Sequence, residues 1–170
     1  MDNVMETRDE VYTDNYGQER TFRVNIIADL DADAPWESED GHGHGPVTDW
    51  VRREATSSEW LLNSDRGEYR YYNRVEAKKQ AALEGWSGCG DTRDEQLDDA
   101  VYKDYADLKA WCNDEWRYVG IEVYPLTKNG DELKSKAESI WGIESDNTDH
   151  IKHIVEELMN SISEVLPEEI

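Results

Sequence analysis

The run Asp40-Gly41-His42-Gly43-His44-Gly45 holds the densest potential chemistry in the chain. Two imidazoles two residues apart on a glycine-rich loop can turn toward one metal ion, with Asp40 or Glu39 supplying an oxygen beside them. A catalytic zinc takes three protein ligands. His42 and His44 are candidates for two; the other histidines, His150 and His153, fall on or beside the last helix. The competing expectation is a flexible turn in which glycine supplies positive φ and a histidine packs on a nearby tryptophan. No Gly-x-Ser-x-Gly elbow occurs. Gly85, Gly88 and Gly90 lack the preceding apolar strand and the following Lys-Ser/Thr of a phosphate loop. The expectation is therefore of no catalytic residues and no cofactor. A small metal-binding protein or enzyme built on His42/His44 with Cys89 or Cys112 is the alternative. Both cysteines are expected as free thiols, Cys112 packed in a core.

A second signal lies in a helix read over residues 94–115. At about 100° per residue, Asp104 and Glu115 share the stripe of Leu97, Val101 and Leu108. A carboxylate there must be paired or have its pKa raised. The expectation is a structural ion pair with an arginine from residues 66–74. The opposite face carries Glu95, Asp98, Asp99, Asp107 and Asp114. Nine acids over residues 91–116 give one per roughly 4.3 Å of helix, against one charge per about 1.7 Å of duplex axis. One helix falls short of imitating DNA. The segment 29–40, with Asp29, Asp31, Asp33, Glu37, Glu39 and Asp40, would close the gap if it lay alongside.

Those acids belong to a wider pattern. The chain has 170 residues, with 40 Asp and Glu against 18 Lys and Arg, a net charge of −22. Such a field repels nucleic acid and anionic membrane surfaces, which excludes both as direct partners. Only residues 61–90 lean basic, through Arg66, Arg70, Arg74, Lys78 and Lys79. Seven Trp and nine Tyr argue against disorder. Halophilic adaptation is disfavoured, since Glu outnumbers Asp and isoleucine is not depleted. No apolar run is long enough to span a bilayer, and no secretory leader is evident at residues 1–10.

The elements that must position these residues follow from period and caps. Residues 1–18 read as a mobile arm. Residues 21–28 alternate as a strand, 29–46 as a long acidic loop, and 47–62 have no clean period. A turn at 64–67 feeds an aromatic strand to Tyr72. Asn73 caps a helix that Gly85 stops. Strand 117–126 precedes the turn Asn129-Gly130 and a partner strand over 132–143. A closing helix, 149–166, turns Ile151, Ile154, Val155, Leu158, Met159, Ile162 and Val165 inward, and Pro167 ends it. The fold class is α+β: a small antiparallel sheet packed against two or three helices, forming one domain over 19–170.

The segments DGHGHGPVTDW (40–50), SDRGEYRYY (64–72), residues 77–86, LKAWCNDEWRYVG (108–120) and SIWGIES (139–145) together resemble a family of small tailed-bacteriophage proteins. The likeness covers residues 20–166 and is most specific over 110–119; the doubled Gly-His departs from it. The resemblance implies a phage origin, the host cytoplasm and a non-structural accessory role, and brings no activity with it. The expected function is a non-enzymatic, DNA-mimic-like inhibitor, monomeric or homodimeric. Its partner would be a host protein with a basic surface, such as a nucleic-acid or defence enzyme. Trp and Tyr would anchor that contact. An accessory protein that binds a basic partner without mimicry remains the other reading.

Overall fold

The computed structural model describes residues 3–37 and 43–167. In chain order the elements are β1 (Val4–Thr13), β2 (Glu19–Ala28), β3 (Val47–Val51), β4 (Glu59–Asp65), β5 (Glu68–Asn73), α1 (Arg74–Glu84), α2 (Arg93–Cys112), β6 (Tyr118–Pro125), β7 (Glu138–Glu144) and α3 (Thr148–Val165). The fold is α+β, with two antiparallel sheets where the sequence suggests one. They belong to two compact units: Met1–Ala32 with Trp116–Ile170, and Asp33–Glu115. The first is discontinuous in sequence, the second continuous.

The discontinuous unit is a four-stranded sheet in the order β1-β2-β6-β7 with α3 on one face. Alternation in β2 buries Phe22, Val24 and Ile26, and in β6 Val119, Ile121 and Val123. Against them α3 lays Ile151, Ile154, Val155, Leu158, Met159 and Ile162, while Val165 is exposed. Asn147 caps α3, accepting a hydrogen bond from the His150 amide at 3.2 Å. Gly130, at φ 87°, makes the expected turn. The polar stretch after it forms a 3-10 turn over Lys134–Lys136, so β7 begins only at Glu138.

Residues 1–18, expected as an arm, instead contain β1, an edge strand paired with β2 from Val4 to Thr13. Its polar sequence hid it: an edge strand needs only one hydrogen-bonded flank, and charge protects the other. Cross-strand pairs hold it, including Arg23 Nε to Asp9 Oδ1 at 2.8 Å and Thr7 Oγ1 to Asn25 Oδ1 at 2.8 Å. Tyr12 packs on the core and donates its hydroxyl to Asn160 Oδ1 at 2.9 Å.

The continuous unit is a three-stranded sheet, β3-β5-β4, with α1 and α2. Leu62, Tyr72, Ala77, Ala81, Leu97, Val101 and Leu108 form its core. Arg66 and Gly67, both at positive φ, make the tight turn between β4 and β5. Residues 47–62 lack a period for a visible reason. Register shifts interrupt β3 between Thr48 and Val51 and β4 between Leu61 and Asn63, and Trp50 sits at φ 50°. Asn73 and Gly85 bound α1 as expected. Within 29–46, read as one long acidic loop, Pro35–Glu37 is a 3-10 turn with Pro35 buried and Trp36 packed against the core, and residues 38–42 lie outside the described residues.

Candidate functional site

Three elements of the continuous unit converge on the short segment His44-Gly45-Pro46. From α2, Asp104 presents a carboxylate whose side chain is 8% exposed. Its Oδ1 lies 2.6 Å from His44 Nδ1; its Oδ2 accepts from the Gly45 amide at 2.8 Å and from the Tyr72 hydroxyl of β5 at 2.8 Å. From α1, Gln80 Nε2 donates to the His44 carbonyl at 2.7 Å. Gly45 fits because it lacks a side chain. A Cβ there would stand 2.6 Å from Ala77 Cβ and 2.7 Å from the Tyr72 oxygen. The strap is thus pinned to both helices and the central strand.

This geometry joins two sequence signals that had stood apart. Asp104 is the buried acid expected from the helical phase, and three donors satisfy it, as a carboxylate in that position requires. Its partner is His44, one of the two candidate metal ligands, and not an arginine of residues 66–74. Those arginines are engaged elsewhere. Arg66 occupies the β4–β5 turn, Arg70 bonds Asp49, and Arg74 donates to the Ser57 carbonyl at 2.9 Å. Burial, Asp104's charge and the hydrogen bond to it all raise the Tyr72 pKa, so the phenol stays protonated as a donor. With the carboxylate accepting at Nδ1, chemistry by His44 would run through Nε2. Among the described residues no group of three His, Cys, Asp or Glu side chains is placed to hold a metal. His42, Glu39 and Asp40 lie outside the described residues.

Glu115 departs from its expected place on the apolar stripe: it is exposed. Helix α2 ends at Cys112, and Asp114 at φ 59° turns the chain out of the helical path, so the 94–115 phase does not reach Glu115.

The acids expected to face a partner divide between the units, Asp29 and Asp31 in the discontinuous one and Asp33, Glu37 and the α2 acids in the other. Several on α2 already have counter-charges. Lys78 of α1 reaches Asp94 at 2.7 Å and Asp98 at 2.9 Å. Lys103 reaches Asp99 at 2.8 Å. The Cys89 amide, followed by Lys103, holds Asp99 below the usual carboxylate range. Glu95 accepts from the Asp91 amide at 2.9 Å and belongs to the Thr92 cap of the helix. Asp107 is half-buried and Asp114 exposed.

The sequence reading missed the surroundings of Arg70. Its guanidinium lies 4.2 Å from the Trp50 ring centre, 5.2 Å from Trp36 and 5.8 Å from Trp111. Asp49 bridges the group, accepting from Arg70 Nε at 2.9 Å and Trp36 Nε1 at 3.1 Å. Three ring faces and a carboxylate thus enclose one cation. Nearby Cys112 is a half-buried free thiol whose pKa burial raises, whereas the free thiol Cys89 is exposed. The only prior signal for the cage was the Trp content; the residues span positions 36 to 111 and no spacing links them.

No family description, curated protein or solved structure matches this chain. Among the described residues no helix is long and apolar enough to cross a membrane.

Proposed function

We propose that this chain is a non-enzymatic binding protein that uses its acidic surface to occupy the basic face of another protein. The observation carrying this is that the acid excess is not confined to one tail or loop. The discontinuous unit has 20 acids against 8 bases, and the continuous unit 20 against 10. A field spread over two folded units steers association with a cationic partner and raises the encounter rate. The likeness to tailed-phage accessory proteins extends the reading. The partner is a nucleic-acid-binding or defence protein of the host cytoplasm, and the acids stand in for phosphates. Lys78 and Lys103 neutralise part of α2, so the exposed acids Asp31, Asp33, Glu37 and Asp114 carry more of this role than Asp98 and Asp99.

The test is capture of partners from bacterial lysate on the tagged chain, with separate elution by stepped salt and by duplex DNA. Release of a nucleic-acid-binding protein by DNA at constant ionic strength is the expected result. A partner that salt releases and DNA does not would remove the mimicry. Absence of any salt-sensitive partner would remove the proposal.

A further inference from the structure

The continuous unit contains a cavity of about 670 Å³ between α1, α2 and β4. Its volume lies within the roughly 300–1,000 Å³ of small-molecule sites. Trp60, Val75, Ala82, Leu97 and Val101 supply apolar lining. Val75 is 39% exposed there, an apolar side chain that an occupant would cover. Trp60 is held rigid from behind, stacked on Tyr72 with ring centres 6.4 Å apart and packed against Tyr105 at 4.9 Å.

The charged lining is unusual for this chain. Where acids outnumber bases by more than two to one, the cavity presents Arg74, Lys78 and Lys79 against Asp98 alone. Lys78 neutralises Asp98 through the 2.9 Å bridge that also ties α1 to α2. Lys79 pairs with Glu76 at 3.1 Å on the exposed helix surface, a contact worth little in water. Arg74 has no carboxylate partner among the described residues. Its Nη2 bonds the Ser57 carbonyl, and its guanidinium carbon lies 5.8 Å from the Trp60 ring centre. A guanidinium has five N–H donors, so most of its hydrogen-bonding capacity remains for an anion. Arg74 is also the first residue of α1, where the helix dipole favours negative charge.

We infer that this cavity binds a small flat aromatic anion, its ring system against Trp60, Val75 and Leu97 and its carboxylate, sulfonate or phosphate on Arg74. The inference is independent of the acidic-surface proposal, since it uses the basic lining of one unit and no macromolecular partner. Both halves of the ligand are needed. The surrounding acidic field disfavours an anion that lacks apolar contact, and an apolar molecule alone leaves Arg74 unused.

The probes are 8-anilinonaphthalene-1-sulfonate and its uncharged counterpart N-phenyl-1-naphthylamine, titrated by fluorescence into the full chain at fixed salt. One saturable site per chain, preferring the sulfonate, is expected. Arg74→Gln should weaken the sulfonate about tenfold and leave the uncharged probe within about twofold, as loss of one charge-assisted contact requires. Ala82→Trp, which fills the cavity, should weaken both. Non-saturable binding, equal affinity for the two probes in the unmodified chain, or an Arg74→Gln chain that melts normally and binds the sulfonate unchanged would each overturn the inference. The comparison of probes on the unmodified chain decides the matter even if a variant fails to fold.

Discussion

The two units solve the same folding problem with different materials. In the discontinuous unit one amphipathic helix covers one face of an antiparallel sheet, and its core is almost wholly aliphatic. In the continuous unit the core holds Tyr72 and borders a buried carboxylate, a histidine and an arginine enclosed by three tryptophans. Apolar area is non-directional and tolerates volume-conserving exchange. A buried carboxylate with three donors specifies one arrangement and tolerates almost none. Area dominates where α3 meets its sheet in the first unit; the core of the second rests also on polar partners.

The largest expected effect tests the first half of that contrast. Ile162, 1% exposed on α3, should cost about 2–5 kcal/mol when truncated to Ala. Amide exchange should show the loss in β2, β6 and α3, with protection of α1 and α2 kept. Equal loss in both units would break the comparison. The next effect tests the second half. Asp104→Asn keeps the volume but removes the charge that three donors share, at a cost of about 1–3 kcal/mol confined to the continuous unit. It should also lower the Tyr72 pKa, since Asp104's charge helps to raise it. In the unmodified chain the Tyr72 pKa is higher folded than unfolded. Its contribution is therefore fully present below its ordinary value of 10.0 and lost as pH rises above that. Alkaline titration of the phenol absorbance, with exchange in α1 and α2, checks both points. An Asp104→Asn chain with an unchanged alkaline limit would show that burial alone sets Tyr72.

The smallest effect concerns Glu59. Arg53 and the Thr56 amide bring its pKa down to about 2. A carboxyl lower in the folded state contributes stability above its unfolded value of 4.5, lost as pH falls toward 2. Glu59→Gln should remove that acid-dependent step, a small one because Arg53, its side chain 46% exposed, is screened by solvent. Melting of the variant and the unmodified chain should converge by about pH 2.

The same contrast explains what could be read from the residues alone. Helix α3 was legible almost to its ends because its periodic apolar positions meet a single partner face. The caps of α1 were legible because Asn73 and Gly85 act locally. Strand β1 was not, because its stability comes from pairing with β2 rather than from an apolar face of its own. The end of α2 was misplaced because Asp114, a non-glycine residue at positive φ, gives no compositional warning. At the site, phase alone located Asp104 as a buried acid. Its attachment to His44 could not be read, since sixty positions separate them and charge density pointed instead to the arginines nearby. A polar partner in a core is chosen by three-dimensional closure, which periodicity does not encode.

The pairing of β2 with β6 has a consequence for how the chain is made. These strands are neighbours in one sheet, in register from Phe22 with Pro125 to Ala28 with Val119, yet all of Asp33–Glu115 is synthesised between them. On the ribosome the continuous unit is complete first, while the β1–β2 hairpin waits with its apolar face uncovered until β6 and α3 emerge. The hairpin is the stretch a chaperone would shield, because the edge of β2 that β6 takes stays open until then.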